Sequence, residues 1–365
     1  MKLWAIVFFA LPLLGAAYVS WRIWHLLPWG SVVSSVAVAL VWLGLALMIG
    51  NLVIGLDRMP LCVARAMYAV GYSWPFVMLY LFIIFLVLDL GRLVHAVPQS
   101  LVIHSATGTL GIAVLMVTLF VYGNIHYRSK VRVPLTLKTE KNVGKAKKIV
   151  LMSDLHLGYH NPRTELARWV DMVNREKADL ILIAGDIIDV SVRPLLEEDM
   201  ATEMRRLNAP VYSCLGNHEY YSGEPKAQQF FKDAGVNLLR DSAVVVDGLC
   251  IVGRDDRTNE HRQAIGKVMK QADNSKFTIL LDHQPYHLEQ AERAGVDFQF
   301  SGHTHHGQVW PISWITEAIY EDAFGEHQRG KTQYYVSSGI GIWGGKYRIG
   351  TRSEYIVAEI VSNNQ

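Results

Sequence analysis

The sequence predicts an all-α transmembrane bundle of four helices followed by a single α/β domain, and three observations carry that prediction. Hydrophobic residues make up 51% of the 365-residue chain, too many for an ordinary soluble domain of this size. They are concentrated before about residue 127, and from Ile149 onward short apolar runs alternate with helical stretches. The boundaries follow: a four-helix membrane anchor over 1–127, a basic linker over 128–148 and the α/β domain over 149–365.

The anchor rests on four stretches, near 3–20, 32–56, 66–88 and 101–122, that lack acidic and basic side chains. Crossing a bilayer takes roughly 20 helical residues. Backbone groups in hydrocarbon must bond within their own element, so the spans are helices, with Pro12 and Pro75 as tolerated kinks. Gly44, Gly50, Gly55, Gly108 and Gly111 offer small surfaces for helix packing, and Trp4, Trp21, Trp24, Trp29 and Trp74 mostly fall near span ends. His104, inside the fourth span, is expected to face the bundle interior. Basic residues cluster at Arg58 and Arg65 and again over Arg128–Lys148, with Lys2, Arg22 and Arg92 between or before, which places both termini and the α/β domain on the cytoplasmic side. The spans carry no internal charge of the kind that marks an ion path, which disfavours a transporter.

In the second half, apolar runs at 149–152, 180–184, 211–215, 277–281 and 298–300 predict buried strands. Asn161 and Pro162 predict a helix start, capped by the asparagine side chain and running to about Lys177, and Pro194 begins a second helix that ends near Asn208. The stretch 310–324, WPISWITEAIYEDAF, is unusually aromatic; burial against the core is expected, with contact to lipid as the alternative. The three cysteines, Cys62, Cys214 and Cys250, form no metal or redox spacing, and 33 acidic against 35 basic residues give no field that would draw the chain to nucleic acid.

Each predicted strand is followed at once by polar residues: Asp154-x-His156, Gly185-Asp186, Gly216-Asn217-His218-Glu219, Asp282-His283 and Gly302-His303-Thr304-His305. In open α/β sheets the carboxyl ends of strands converge on one rim, so five distant loops can meet at one site. Carboxylate and amide oxygens mixed with imidazole suit manganese, zinc, iron or cobalt, and seven donors are too many for one small ion but enough for two that share a carboxylate. Glycines before Asp186, Asn217 and His303 let the chain turn sharply and keep bulk away from the ions.

The phrases SDLHLG, AGDIID, LGNHEYY, LDHQP and SGHTHHGQ resemble the calcineurin-like metallophosphoesterases over about residues 147–360, most of all a bacterial branch that includes the YkuE and YaeI types. His306 and Asp282 stand where many relatives carry smaller residues. The resemblance implies a sandwich of two mixed β-sheets flanked by helices and an integral protein of a bacterial inner membrane. It implies that Asp154, His156, Asp186 and His305 bind one divalent ion and Asp186, Asn217, His283 and His303 the other, with His218 assisting the leaving oxygen. Hydrolysis of a phosphodiester, phosphomonoester or pyrophosphate by metal-bound hydroxide follows. A membrane tether favours a lipid-linked substrate among membrane lipids; soluble substrates, or a non-catalytic sensor with a structural metal site, are the alternatives. Asp189 and Glu219 are placed to orient ligands, and Tyr159, His160, His306, Arg254 and Arg257 are candidates for the cleft wall.

Overall fold

The computed structural model describes residues 3–362 except 142 and 144–146, and for residues 3–9 the backbone alone. Lys2 and Lys145, which contribute to the charge pattern above, lie outside the described residues. Contacts divide the chain into two units: 1–125 with 344–346, and 126–343 with 347–365.

The first unit contains α1 (Leu3–Leu26), α2 (Gly30–Val53), α3 (Leu61–Leu93) and α4 (Ala106–Arg128). Three of these, α2, α3 and α4, are long and apolar enough to cross a membrane. That is one fewer than the four spans expected, since among the described residues α1 is not one of them. Gly44 packs under Trp74, where an added Cβ would fall 2.1 Å from the indole, and the Trp74 Nε1–H donates to the Val41 carbonyl at 2.8 Å. Gly50, Gly55 and Gly111 face open space instead. The fourth helix starts later than the sequence suggests. His104 therefore sits in the turn before α4, with φ +46°, and its Nδ1 bonds the Leu27 carbonyl at 3.1 Å. Arg22 and Asp89, paired at 3.3 Å, lie four residues from the ends of α1 and α3, so this charge pair caps one end of the bundle.

The second unit comprises β1 (Lys130–Thr139), β2 (Lys147–Met152), α5 (Arg163–Arg175), β3 (Leu180–Ala184), α6 (Arg193–Glu197), α7 (Met200–Met204), β4 (Val211–Cys214), α8 (Asn217–Tyr221), α9 (Glu224–Asp233), β5 (Val236–Leu238), β6 (Ser242–Val246), β7 (Leu249–Gly253), α10 (Ile265–Val268), β8 (Phe277–Leu281), α11 (Leu288–Arg293), β9 (Phe298–Ser301), α12 (Ile312–Ile319), β10 (Gly325–Arg329), β11 (Thr332–Val336) and β12 (Ser353–Ser362). Two mixed six-stranded sheets run in the orders β1-β12-β2-β3-β4-β5 and β10-β11-β9-β8-β7-β6. The pleat alternates side chains between faces. Ile149 and Leu151 thus enter the layer between the sheets, with Ile251, Ile279, Leu281 and Phe300 opposite, while Val150 and Met152 point outward to Leu166, Trp169 and Val170 of α5. Burial on both faces explains why these strands read as continuous apolar runs.

Four local expectations change. The basic stretch 128–148 holds β1, paired in parallel with β12 from Lys130↔Ser353 to Thr139↔Ser362. Asn161 does not cap α5; its Nδ2 donates to the Leu155 and His156 carbonyls, both at 3.0 Å, and it accepts from the Tyr127 hydroxyl at 2.8 Å. The helix expected over 194–208 is two short helices, because Asp199 is left-handed at φ +50°. The aromatic stretch after residue 310 is not wholly buried, since α12 leaves Trp314, Ile315 and Ile319 exposed.

Candidate metal centre

All five polar loops leave the carboxyl ends of strands, three from β2, β3 and β4 of the first sheet and two from β8 and β9 of the second. Backbone bonds hold them together, including Asp154 N–H to the Gly185 carbonyl at 3.1 Å and His156 N–H to the Asp186 carbonyl at 3.0 Å. Asp154, His156, Asp186, His303 and His305 all have positive φ, between +45° and +72°. Left-handed backbone at a residue with a Cβ costs about 1–2 kcal/mol each, so the surrounding packing must impose these turns.

The side chains converge in two groups. In one, the Nε2 atoms of His156 and His305 lie 3.1 Å apart, with Asp154 Oδ1 at 3.8 Å from the first and 3.5 Å from the second. In the other, His283 Nε2 lies 3.1 Å from Asp186 Oδ2 and 3.2 Å from Asn217 Oδ1, and His303 Nδ1 lies 2.9 Å from the same amide oxygen. Asp186 Oδ2 is also 3.8 Å from His156 Nε2, so one carboxylate borders both groups. The structure therefore brings all seven predicted donors together. Donors around a divalent ion at about 2.1 Å sit about 3.0–3.4 Å from one another; the His156–His305, His283–Asp186 and His283–Asn217 edges fall in that range, and the Asp154 edges, at 3.5 and 3.8 Å, are wider. Two imidazole nitrogens 3.1 Å apart can share either a proton or a metal ion, and the oxygen and nitrogen mixture around them fits a borderline-hard cation.

Charge in the site points the same way. Burial lifts the Asp154 carboxyl above its ordinary value. At Asp186 burial acts upward too, but the charges of His283 and His218 outweigh it and hold the carboxyl well below. Burial and neighbouring imidazoles push His303 down to about 3 and His305 well below the usual histidine range. At His283 burial acts downward, but the charge of Asp186 outweighs it and raises the imidazole well above the usual histidine range.

His218 stands beside both groups, its ring packed edge-on to His156 at 4.5 Å between centroids and its Nδ1 3.3 Å from Asp189 Oδ1. The same Asp189 oxygen lies 3.3 Å from His156 Nδ1. The His218 Nδ1 also meets the Asp189 carbonyl at 3.3 Å, so Asp189 stands against both rings, where a carboxylate behind a ligating histidine usually sits; His156, Asp189 and His218 are themselves close enough to share an ion. Glu219 is fully buried and accepts from the backbone N–H groups of Asp186 (3.0 Å), Ile188 (2.9 Å) and Gly216 (2.7 Å), tying two of the loops together.

Sequence reasoning missed Arg348. Its buried guanidinium donates to the carbonyls of His305 (2.7 Å) and Gly341 (3.2 Å), and also to that of Ser338, so it organises the turn behind the metal donors. No motif signals it, since its acceptors are main-chain carbonyls. Arg254 is buried against Asp282 at 2.8 Å, and Tyr159 and His160 are buried as well, so none of the three lines an open wall. Arg257 is exposed and lies over the Tyr286 ring at 3.9 Å; His306 stacks on Phe324 and pairs with Glu317 at 2.9 Å.

The glycines are sterically required. A Cβ on Gly302 would fall 2.3 Å from Asp154 Oδ2 and one on Gly216 would fall 2.1 Å from Asp186 Oδ1. Gly302→Ala is expected to leave the domain folded but to weaken metal binding roughly 10- to 100-fold, the range seen when a ligand's support is disturbed. Manganese titration alongside a melting curve checks this; unchanged affinity in a folded variant contradicts it.

A model of the calcineurin-like phosphoesterase family matches residues 147–307. An uncharacterized metallophosphoesterase of Helicobacter pylori is 31% identical over 224 residues, 60% of each chain, so the sequence spans less than two thirds of that relative's length. The uncharacterized metallophosphoesterase YkuE of Bacillus subtilis is 30% identical over 233 residues, covering 60% of this chain and 80% of the relative. A transmembrane protein with metallophosphoesterase domain from Danio rerio is 30% identical over 224 residues, 57% of this chain and 51% of its own.

Proposed function

The chain belongs to the calcineurin-like metallophosphoesterases, and from that membership we propose that it is a membrane-anchored phosphoesterase using two divalent ions against a lipid-linked phosphate ester. The observation that carries this reading is the single carboxylate of Asp186 bordering two donor groups, with a further histidine, His218, beside both. Asp154, His156, Asp186 and His305 would hold one ion, and Asp186, Asn217, His283 and His303 the other. The ions supply Lewis acidity toward the phosphoryl oxygens and a water nucleophile activated at neutral pH. His218 donates a proton to the departing oxygen, and Asp189 keeps its ring in position. Glu219, buried among the loops, holds the backbone on which Asp186 and Asn217 stand.

Three helices of membrane-crossing length support the anchor, and α1 serves as the fourth span. The basic residues flanking the spans favour the cytoplasmic side for the phosphoesterase domain, and the bacterial relatives favour an inner membrane. A domain that begins at Lys130, directly after a helix ending at Arg128, meets lipid phosphates at high local concentration. Manganese, zinc, iron and cobalt all fit the donor set.

The test uses the full chain in lipid nanodiscs. Turnover of bis(p-nitrophenyl) phosphate is expected with added manganese and lost on chelation, together with release of soluble phosphate product from a membrane lipid extract. Metal-loaded protein that turns over neither would sink the enzymatic reading; turnover of the soluble ester alone would sink the lipid-linked substrate.

A further inference from the structure

The α12 helix follows the metal-donor turn by four residues and is the one place in the α/β domain, among the described residues, where several large apolar side chains stand exposed on one helix. Trp314 is 62% exposed, Ile315 58% and Ile319 57%. At 100° per residue, Trp314, Ala318, Ile315 and Ile319 fall at 0°, 40°, 100° and 140°, an unbroken apolar arc. The only charged side chain on the helix, Glu317, lies at 300°, outside that arc, and is held by His306.

This helix is built firmly into the metal turn. A Cβ on Gly307 would meet the Ser313 backbone nitrogen at 2.3 Å, and the Trp310 N–H donates to the Ile349 carbonyl at 2.7 Å. Ser313 is buried, and Trp310 packs edge-on against Trp314 at 5.4 Å. The exposed face is therefore fixed in place rather than a loose loop. Water contact with such a face is unfavourable, and a cover is needed.

We infer that α12 lies in the lipid headgroup boundary of the membrane, with Trp314, Ile315 and Ile319 inserted among the acyl chains, so that bilayer contact sets the depth of the metal centre. The inference rests on the membrane-anchored reading above. Lipid is favoured as the cover because the same chain carries three membrane-length helices, the last of which ends at Arg128, one residue before β1. Tryptophan and branched aliphatic side chains on one face, at a depth of about 5–10 Å, are the composition such boundary helices use. Because α12 carries no basic residue on any face, insertion is apolar and requires no anionic lipid.

The experiment reads position directly, with no use of turnover. In a Cys62→Ser background, where Cys214 and Cys250 are buried, nitroxide labels go on Trp314→Cys, Ile319→Cys, Leu115→Cys in α4 and Lys232→Cys on α9. The full chain is placed in phosphatidylcholine nanodiscs, and collisions with oxygen and with a water-soluble nickel chelate are compared. Labels at 314, 319 and 115 are expected to show a several-fold excess of oxygen over chelate collisions, and the label at 232 the reverse. A lipid reading at 115 with a water reading at both 314 and 319 overturns the inference and leaves the anchor intact. A water reading at 115 removes the anchor and the inference with it. Dipolar broadening at 314 that disappears on dilution with unlabelled protein identifies a second copy as the cover and likewise overturns it.

Discussion

Asp186→Asn is expected to abolish tight binding of both proposed ions. This side chain borders both donor groups, at 3.1 Å from His283 and 3.8 Å from His156, and accepts the His218 backbone N–H at 2.9 Å. Removing one partner from a buried charged cluster costs about 3–5 kcal/mol, and at about 1.4 kcal/mol per factor of ten this is roughly 10²–10⁴ in affinity. Elemental analysis after gel filtration is expected to find two ions in the parent protein and a large deficit in the variant. Chelation supplies a second readout. A ligand present at about a thousand times its Kd stabilises the folded state by about 4 kcal/mol, so EDTA is expected to lower the melting temperature of the parent and to leave Asp186→Asn nearly unmoved. Full metal content in the variant contradicts the proposed bridge.

His218→Asn is expected to separate metal binding from the proposed proton transfer. The ring touches Asp189 and packs against His156, but it belongs to neither of the two donor groups around which the ions are proposed to sit. Metal content is expected to be unchanged while kcat falls roughly 10²- to 10⁴-fold, the usual contribution of a positioned acid. The loss depends on the leaving group. An alkoxide requires the proton and shows the full effect; p-nitrophenolate departs nearly unaided and shows little. In the metal-free protein burial acts to lower the pKa of His218, but Asp186 and Asp189 outweigh it and raise the value to about 9. Bound cations repel the imidazolium and bring it back toward neutrality. The parent enzyme is then expected to lose activity as pH rises and this proton leaves, with that alkaline limb missing in His218→Asn. Equal losses for both leaving groups would contradict a proton-donating role.

The donor residues were legible because each follows an apolar run that could only be a buried strand, and the carboxyl ends of such strands share a rim. The glycines were legible for the same reason, since a tight turn beside a ligand leaves no room for a Cβ. Arg348 left no trace in the sequence because it works on carbonyl oxygens, which every residue has. The edge strand β1 was missed because KVRVPLTLKT carries a proline and alternating charge, as an edge facing water does, and its partner β12 lies more than 200 residues away. Asn161 was misjudged because its side chain bonds the turn at 155–156 rather than the helix after it.

By itself, then, the sequence determined which polar residues follow the buried strands and that the first third of the chain is apolar enough for lipid, because side-chain type and the period of apolar residues are local properties. Tertiary structure decided the distances between the donors, that Asp189 stands against two histidines, that Arg348 supports the turn behind them, and that α12 turns an apolar face outward. Those outcomes depend on how distant strands register against each other, which is fixed by packing between two sheets and is written in no single stretch of the chain.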